Sequence, residues 1–266
     1  MEILPLKSKI IVEGDSIPDC IEMALKSNDI QLKDGDIIAV SSKVVAVSEG
    51  RIVDYNKIKP VPEAIELAEK YGLEPGFAQL VLEEADLILG GVFRAILTLK
   101  QGVFVANAGI DHSNAPPGFA ILWPAEPYAS AQRIRKKLEE TSGLYLGILM
   151  CDSHCNPLRT GSAGICIAAS GFRAVEDIRG RKDIYGNVLR ITRKAVADNL
   201  ASAAVSVMGE SDEITPFVLI RGAYADLGNP QDKNRDNIDS ENIKSVFISP
   251  EDCLFASLYP ASLKKH

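Results

Sequence analysis

Residues 147–161 constrain this chain more than any other stretch. Gly147-Ile-Leu-Met-Cys is an uninterrupted apolar run that stops abruptly at Asp152 and Ser153, and Pro157 and Gly161 then punctuate a polar turn. Such a run, bounded by turn signals, reads as a strand buried on both faces. A carboxylate and a hydroxyl at the mouth of a buried strand stand on a rigid base, where ligand-gripping groups tend to sit. The competing reading is that Asp152 only caps the turn that follows, as short polar side chains often do.

Two further junctions repeat the arrangement. An apolar segment over 103–106 empties into Asn107-Ala-Gly-Ile-Asp-His-Ser-Asn114, where a turn can bring Asp111 and Asn114 to one side. An Ala- and Ser-rich helix over 193–208 stops at Gly209, as helices commonly do. It is followed by Glu210, Asp212 and Glu213 and then by an apolar strand at 217–221.

The remaining segments alternate between helix and strand signals. A strand is expected over 3–12, closed by a turn at 13–15, and then a helix capped by Ser16 with Pro18 in its first turn. Strands are expected over 37–40 and 44–47. Between them, Ser41, Ser42 and Lys43 form either a phosphate contact or an exposed loop. Helices follow over 62–71 and 76–84, then a hairpin of 93–98 with 103–106. A charged helix over 130–140 reads as a solvated face. Residues 188–192 alternate like a strand, the chain beyond Gly228 turns polar and loop-like, and a short helix beginning near Ser249 closes it.

The chain has 266 residues, 46% of them hydrophobic and 24% charged, which allows a proper core. Its net charge of −7 argues against nucleic acid, whose phosphates need a basic face. No apolar run reaches the length of a membrane span and Met1-Glu2 does not resemble a secretory signal, so a cytoplasmic protein is expected. The five cysteines are odd in number and irregularly spaced, against a disulfide framework. Cys151, His154 and Cys155 lack the further ligand pair that a structural zinc site needs.

Asp111, Asp152 and Glu210 each end a regular element, beside Asn114, Ser153 and Thr215 respectively. Clustered carboxylates repel unless a cation lies between them. Hard oxygen donors with few histidines favour Mg²⁺ or Mn²⁺, in the sparse kind of site that shares its ion with a substrate phosphate. Neither common glycine-rich phosphate motif is present, so a nucleotide must be held in another way.

The motifs 107–114, Asp152-Ser153 with Pro157-Leu-Arg-x-Gly161, 180–186, Ala195-Val-Ala-Asp198 and Met208-Gly-Glu210 with Pro216 together resemble the coenzyme F420-0:L-glutamate ligase family. The resemblance runs in order to about Gly222. It implies a GTP-dependent ligase of archaeal and actinobacterial cofactor synthesis, which adds L-glutamate to a deazaflavin precursor through an acyl phosphate. It further implies a family-specific α+β fold with mixed and antiparallel sheets, a homodimer, two divalent ions (Mg²⁺ or Mn²⁺), and K⁺ as a further ion to consider.

One ligase domain over 1–225 is then expected, with two interleaved α+β subdomains as an option, followed by a polar loop and C-terminal helix over 226–266. Carried over by motif, Asp111 and Asp152 hold the first metal, and Ser153 and Glu210 the second. Ser8, Lys9, Ile10, Ile11, Ser42, Lys43 and Asn114 contact the nucleotide, together with Met208, Gly209, Glu210, Ser211, Asp212, Glu213, Ile214 and Thr215. Asp198 is read as capping or pairing inside the helix region and Arg159 as gripping a carboxylate or phosphate, each weighed against a structural ion pair. The chain departs from the family pattern at Val47, where many relatives carry lysine, and after Asp152, where Ser-His-Cys-Asn-Pro-Leu-Arg replaces a loop richer in arginine and aromatic residues. These departures bear on substrate rather than reaction class. The alternatives are a metal-dependent phosphohydrolase, a ligase with a different acid acceptor, and a non-catalytic nucleotide binder.

Overall fold

In the computed structural model of the chain, which describes residues 1–228, 236–260 and 263, the apolar run ending at Asp152 lies inside a five-stranded sheet with Gly147 to Cys151 all buried. Among the described residues the order begins β1 (Glu2–Leu6), α1 (Ile17–Ser27), β2 (Ile37–Ser41), α2 (Ser42–Ser48), β3 (Ile52–Asp54), α3 (Pro62–Tyr71) and α4 (Pro75–Glu84). Then come β4 (Leu87–Val92), β5 (Ala95–Lys100), β6 (Val103–Ala106), β7 (Phe119–Ile121), α5 (Pro127–Ser142), β8 (Gly147–Cys155), β9 (Ser162–Ser170) and β10 (Val175–Asp177). β11 (Arg193–Ala195) leads into α6 (Val196–Met208), and β12 (Phe217–Arg221) precedes α7 (Asp236–Ser245). The class is α+β, with parallel and antiparallel pairings in one sheet.

The main sheet runs β1-β12-β2-β8-β9. β2 and β8 pair in parallel, with Ser41 opposite Cys151, and the other neighbours are antiparallel. Because side chains alternate along a strand, each central strand feeds two cores. Ile38, Val40, Ile148 and Met150 pack toward α1 and α5, whereas Ile37, Ala39, Leu149 and Cys151 pack toward α6. Helices on both faces explain why β2, β8 and β12 read as continuous apolar runs rather than alternating ones. Each fully buried Leu or Ile here contributes about 1.5–3 kcal/mol.

α6 lies close to the sheet because Ala197, Ala201 and Ala204 face it. At Gly164 a Cβ would stand 2.2 Å from the Ala201 carbonyl oxygen, so only glycine fits beneath the helix. A smaller core of Phe77, Val81, Ile96, Ala108 and Ala120 gathers α4, β5 and β7, and is flanked by the β4-β5-β6 sheet and the β3-β7 pair. It places Asp111, whose backbone bridges to Ile121 at the end of β7.

The sequence expectations need correction in several places. Residues 44–47 are not a strand but part of α2: β2 already has neighbours on both edges, and the chain leaves the sheet after Ser41 with Val45 and Ala46 buried. The first strand stops at Leu6 rather than continuing to 12. β5 begins at Ala95, because residues 93–94 turn the chain back from β4, a strand not anticipated. Residues 193–195 pair with β10 before the helix starts, and residues 188–192 form only a bridge from Val188 to Lys182.

The expected polar loop falls largely on residues 229–235, outside the described residues, but 236–245 is the helix α7. Among the described residues no α-helix follows Ser249, where a 3-10 turn is found at Ala256–Leu258. The charged helix α5 is not simply a solvated face. Arg135 is only 3% exposed and bonds Ser170, Glu139, Asp236 and Asp239, which docks α7 against β9.

Candidate active site

The parallel pairing of β2 with β8 sets the centre of the site. The chain leaves β2 at Ser41 directly opposite Cys151, so the first residue of α2 meets the carboxylate that ends the apolar run. Ser42 Oγ donates to Asp152 Oδ2 at 2.7 Å, and the Ser153 backbone N–H donates to Oδ1 at 2.8 Å. The next residue of α2, Lys43, extends its ammonium to Asp111 Oδ2 at 2.6 Å and to Ser113 Oγ at 2.7 Å. Ser113 bonds Asp111 through both its hydroxyl and its backbone N–H, which curls the loop after Asp111 onto its own carboxylate.

The two carboxyls are driven apart in acidity. Burial pushes Asp152 up, above the ordinary carboxylate range. Hydrogen bonds from Ser42 and Ser153 and the charge of Lys43 oppose that push, while the charge of Asp111 adds to it. Burial acts on Asp111 in the same direction, but the hydrogen bonds of Lys43 and Ser113 and the lysine charge outweigh it, holding Asp111 low. Lys43 and Ser113 thus hold one carboxyl below its ordinary value, while burial holds the other above it. Paired carboxyls in unlike environments are a usual source of acid and base roles.

Asp111, Asp152, Ser153 and Glu210 line one cavity of about 400 Å³, walled also by Lys43, Asn114 and residues 208–216. Loop 208–216 is held by its own bonds. Thr215 Oγ1 donates to the Met208 carbonyl, Ser211 N–H to Glu213, and Asn114 Nδ2 to the Ser211 carbonyl. Gly209, with φ +78°, lies so close to the Glu213 carboxylate that a Cβ would stand 2.1 Å from its Cδ. Glu210 accepts from Ser162 Oγ at 2.7 Å, tying the loop to the start of β9.

Lys9, Ile10 and Ile11 also reach this cavity, with the Lys9 ammonium paired to Asp15. Ser8 and Ser42 do not line it. The Ser8 backbone N–H bonds the Ile214 carbonyl, and buried Ser42 serves Asp152. Asp198 accepts from the Cys166 backbone N–H inside the fold. Burial raises the Cys151 and Cys166 thiols well above their ordinary value, which leaves them inert side chains of the core. Sequence reasoning missed Ser113 and Ser162. An Asp-x-Ser spacing hints at the first, whereas nothing local hints at the second.

A divalent ion must find oxygen donors here. Among the described residues, no three His, Cys, Asp or Glu side chains stand close enough together to hold an ion by themselves. Yet Asp111, Asp152, Ser153 and Glu210 present only oxygen to the larger cavity. Mg²⁺ commonly takes one or two carboxylates and completes its shell with water and substrate phosphate. The donor set therefore fits an ion that arrives with a phosphate, not an all-protein cage.

Residues 5–222, which carry every side chain named above around the cavity, match the family described as F420-0:Gamma-glutamyl ligase. The chain belongs to this ligase family. It is 43% identical over 238 residues to the Coenzyme F420:L-glutamate ligase of Methanocaldococcus jannaschii, covering 87% of this chain and 94% of that protein. It is similar, at 39% over 228 residues, to the ligase of the same name from Methanopyrus kandleri, covering 85% and 88% of the two chains. The corresponding protein of Methanothermobacter thermautotrophicus is 38% identical over 214 residues, 80% of this chain and 85% of that one. The F420-0:Gamma-glutamyl ligase match stops before α7, so the helix docked through Arg135 and Asp239 lies beyond the shared region. No helix among the described residues is long and apolar enough to cross a membrane.

Proposed function

We propose that the chain is a GTP- and divalent-metal-dependent ligase that joins a carboxylate of a deazaflavin precursor of the F420-0 type to the amine of L-glutamate. The observation that carries the reading is the convergence of Asp111, Asp152 and Glu210, from three separate segments, on one cavity of a chain that matches a ligase family over 218 residues (5–222).

A free carboxylate is a poor electrophile. Transfer of the γ-phosphoryl group of GTP to one of its oxygens makes an acyl phosphate. The glutamate nitrogen then attacks the carbonyl carbon and the C–O bond to phosphate breaks. Of the ammonium's protons, one goes to the leaving phosphate, one to solvent, and one stays on the amide. Asp111, Asp152, Ser153 and Glu210 would hold Mg²⁺ or Mn²⁺, which offsets phosphate charge when bound. Lys43 supplies a fixed positive charge beside Asp111. Asn114 and loop 208–216, with its Asp212 and Thr215, form the wall against which the nucleotide lies. Catalysis on this account is positioning and electrostatics.

The exposed apolar side chains Leu158, Ile184, Tyr185 and Ile191 support self-association as a homodimer. Val47, a position of departure from the family pattern, lines the larger cavity, which favours as a second reading a ligase for a different acid. Purified protein incubated with GTP, Mg²⁺ or Mn²⁺, with and without K⁺, should release GDP continuously and form the amide only when both L-glutamate and F420-0 are present. Continuous GDP release that needs no amine contradicts the ligation reading. Glutamate-dependent turnover of another acid but not of F420-0 selects the second reading.

A further inference from the structure

Behind the carboxylates lies a second cavity, of about 240 Å³. It shares Lys43, Asp111, Ile121, Asp152 and Ser153 with the larger one, so these five residues form a partition between two chambers. Asn107, Trp123, His154, Cys155 and Ser162 line it further. None of these five borders the larger cavity.

A ligase that activates an acid must bring three molecules to one point, the triphosphate to a carboxylate oxygen and the amine to the acyl carbon. We propose that the smaller chamber is the subsite for the amino-acid co-substrate, which delivers its amine to the Asp111–Asp152 partition from the side opposite the nucleotide. The inference rests on the ligase reading above and assigns one substrate to a place within it.

Size and chemistry both favour the amino acid. A water takes about 30 Å³ of liquid, so this chamber has room for roughly eight waters, the scale of a free amino acid rather than of a nucleotide or a polycyclic acid. At the partition an ammonium group meets two carboxylates. Away from it, the His154 imidazole offers a hydrogen-bond group suited to a carboxylate.

The test uses Cys155, which is exposed, whereas Cys20, Cys151 and Cys166 are buried. The rate of Cys155 alkylation by N-ethylmaleimide, followed by peptide mass spectrometry, is measured with L-glutamate, with Mg²⁺–GTP, with the acid substrate, and with glutamate added to Mg²⁺–GTP. Glutamate should slow labelling, alone or on top of Mg²⁺–GTP, while Mg²⁺–GTP alone leaves it unchanged. A His154→Ala variant should raise KM for glutamate roughly tenfold, the scale of one lost hydrogen bond to a charged group, with KM for GTP unmoved. Protection by the acid or by GTP but not by glutamate overturns the assignment. So does full turnover with no protection by glutamate. If glutamate protects Cys155 yet no acid is ever ligated, the subsite stands and the ligase reading falls.

Discussion

The two halves of the candidate site are built by different means. Asp152 lies in β8 where its buried run stops, and Ser42 and Lys43 begin α2 directly after the buried strand β2, so their positions are set by the packing of the whole sheet. Residues 208–216 are set by local bonds: Thr215 to Met208, Ser211 to Glu213, and Asn114 to Ser211. The first half cannot move without opening the core. The second can shift at the cost of a few hydrogen bonds, each worth about 1 kcal/mol net. A rigid base with an adjustable wall suits a site that must align phosphates yet admit and release a nucleotide.

Substitutions can break or sharpen this contrast. The largest effect is expected for Asp152→Asn, which should lower GDP release about 10³-fold, or roughly 4 kcal/mol, the scale of one electrostatic group in a preorganised site. The same change should leave unfolding by urea unaltered or slightly harder, because burial disfavours the charged form it removes. Leu149→Ala, in the fully buried strand beneath the site, should cost about 2–5 kcal/mol and lower the urea midpoint with little change in KM for GTP among folded molecules.

Gly209→Ala should act the other way. Its positive φ strains any residue with a Cβ, and the Glu213 carboxylate must swing aside and give up its bond to the Ser211 N–H, so loop 208–216 loosens at a cost of about 1–3 kcal/mol. KM for GTP should rise roughly tenfold, the kinetic equivalent of about 1.4 kcal/mol. If Gly209→Ala depressed the urea midpoint as far as Leu149→Ala, the proposed division between halves would be wrong. Asn114→Ala removes one bond to loop 208–216 and should cost about 0.5–1.5 kcal/mol, read as faster amide exchange of residues 210–215 alone.

The smallest effect concerns pH in the metal-free protein. A carboxyl raised on folding stabilises the fold below its unfolded value and loses that contribution as pH rises through its folded value, which is the case for Asp152. Asp111 is depressed, so its contribution is present above its unfolded value and is lost as pH falls through its folded value. Thermal scans in chelator should therefore show Asp152→Asn gaining on wild type as pH rises from the acid side toward neutrality. Asp111→Asn should lose ground over the same span.

Much of the rigid half was legible in the chain because burial on both faces writes itself as a continuous apolar run. The buried part of β8, β12 and the helices expected over 62–71 and 76–84 follow from periodicity and turn residues, although β8 runs on to Cys155. α2 was not legible, since Val44, Val45 and Val47 favour a strand and only the occupied edges of β2 send the chain elsewhere. α7 was hidden for the opposite reason. Its polar residues Asp239 and Asn242 look solvent-bound, but they are buried by bonds to Arg135, Ser170, Gly171 and Ala174. In the site, Asp111 and Asp152 announced themselves as carboxylates at strand ends. Their partners Lys43 and Ser42 lie 68 and 110 residues away, separations that no local pattern encodes.

The central claim is that the carboxylates form a sparse set of oxygen donors, completed by a substrate phosphate. Electron paramagnetic resonance of Mn²⁺ titrated into the protein, with and without GTP, tests it directly. The account predicts weak ion uptake alone, much tighter uptake with GTP, and loss of the tight component in Asp152→Asn. Equally tight binding of Mn²⁺ without GTP, or nucleotide-dependent binding that survives Asp152→Asn unchanged, would contradict it.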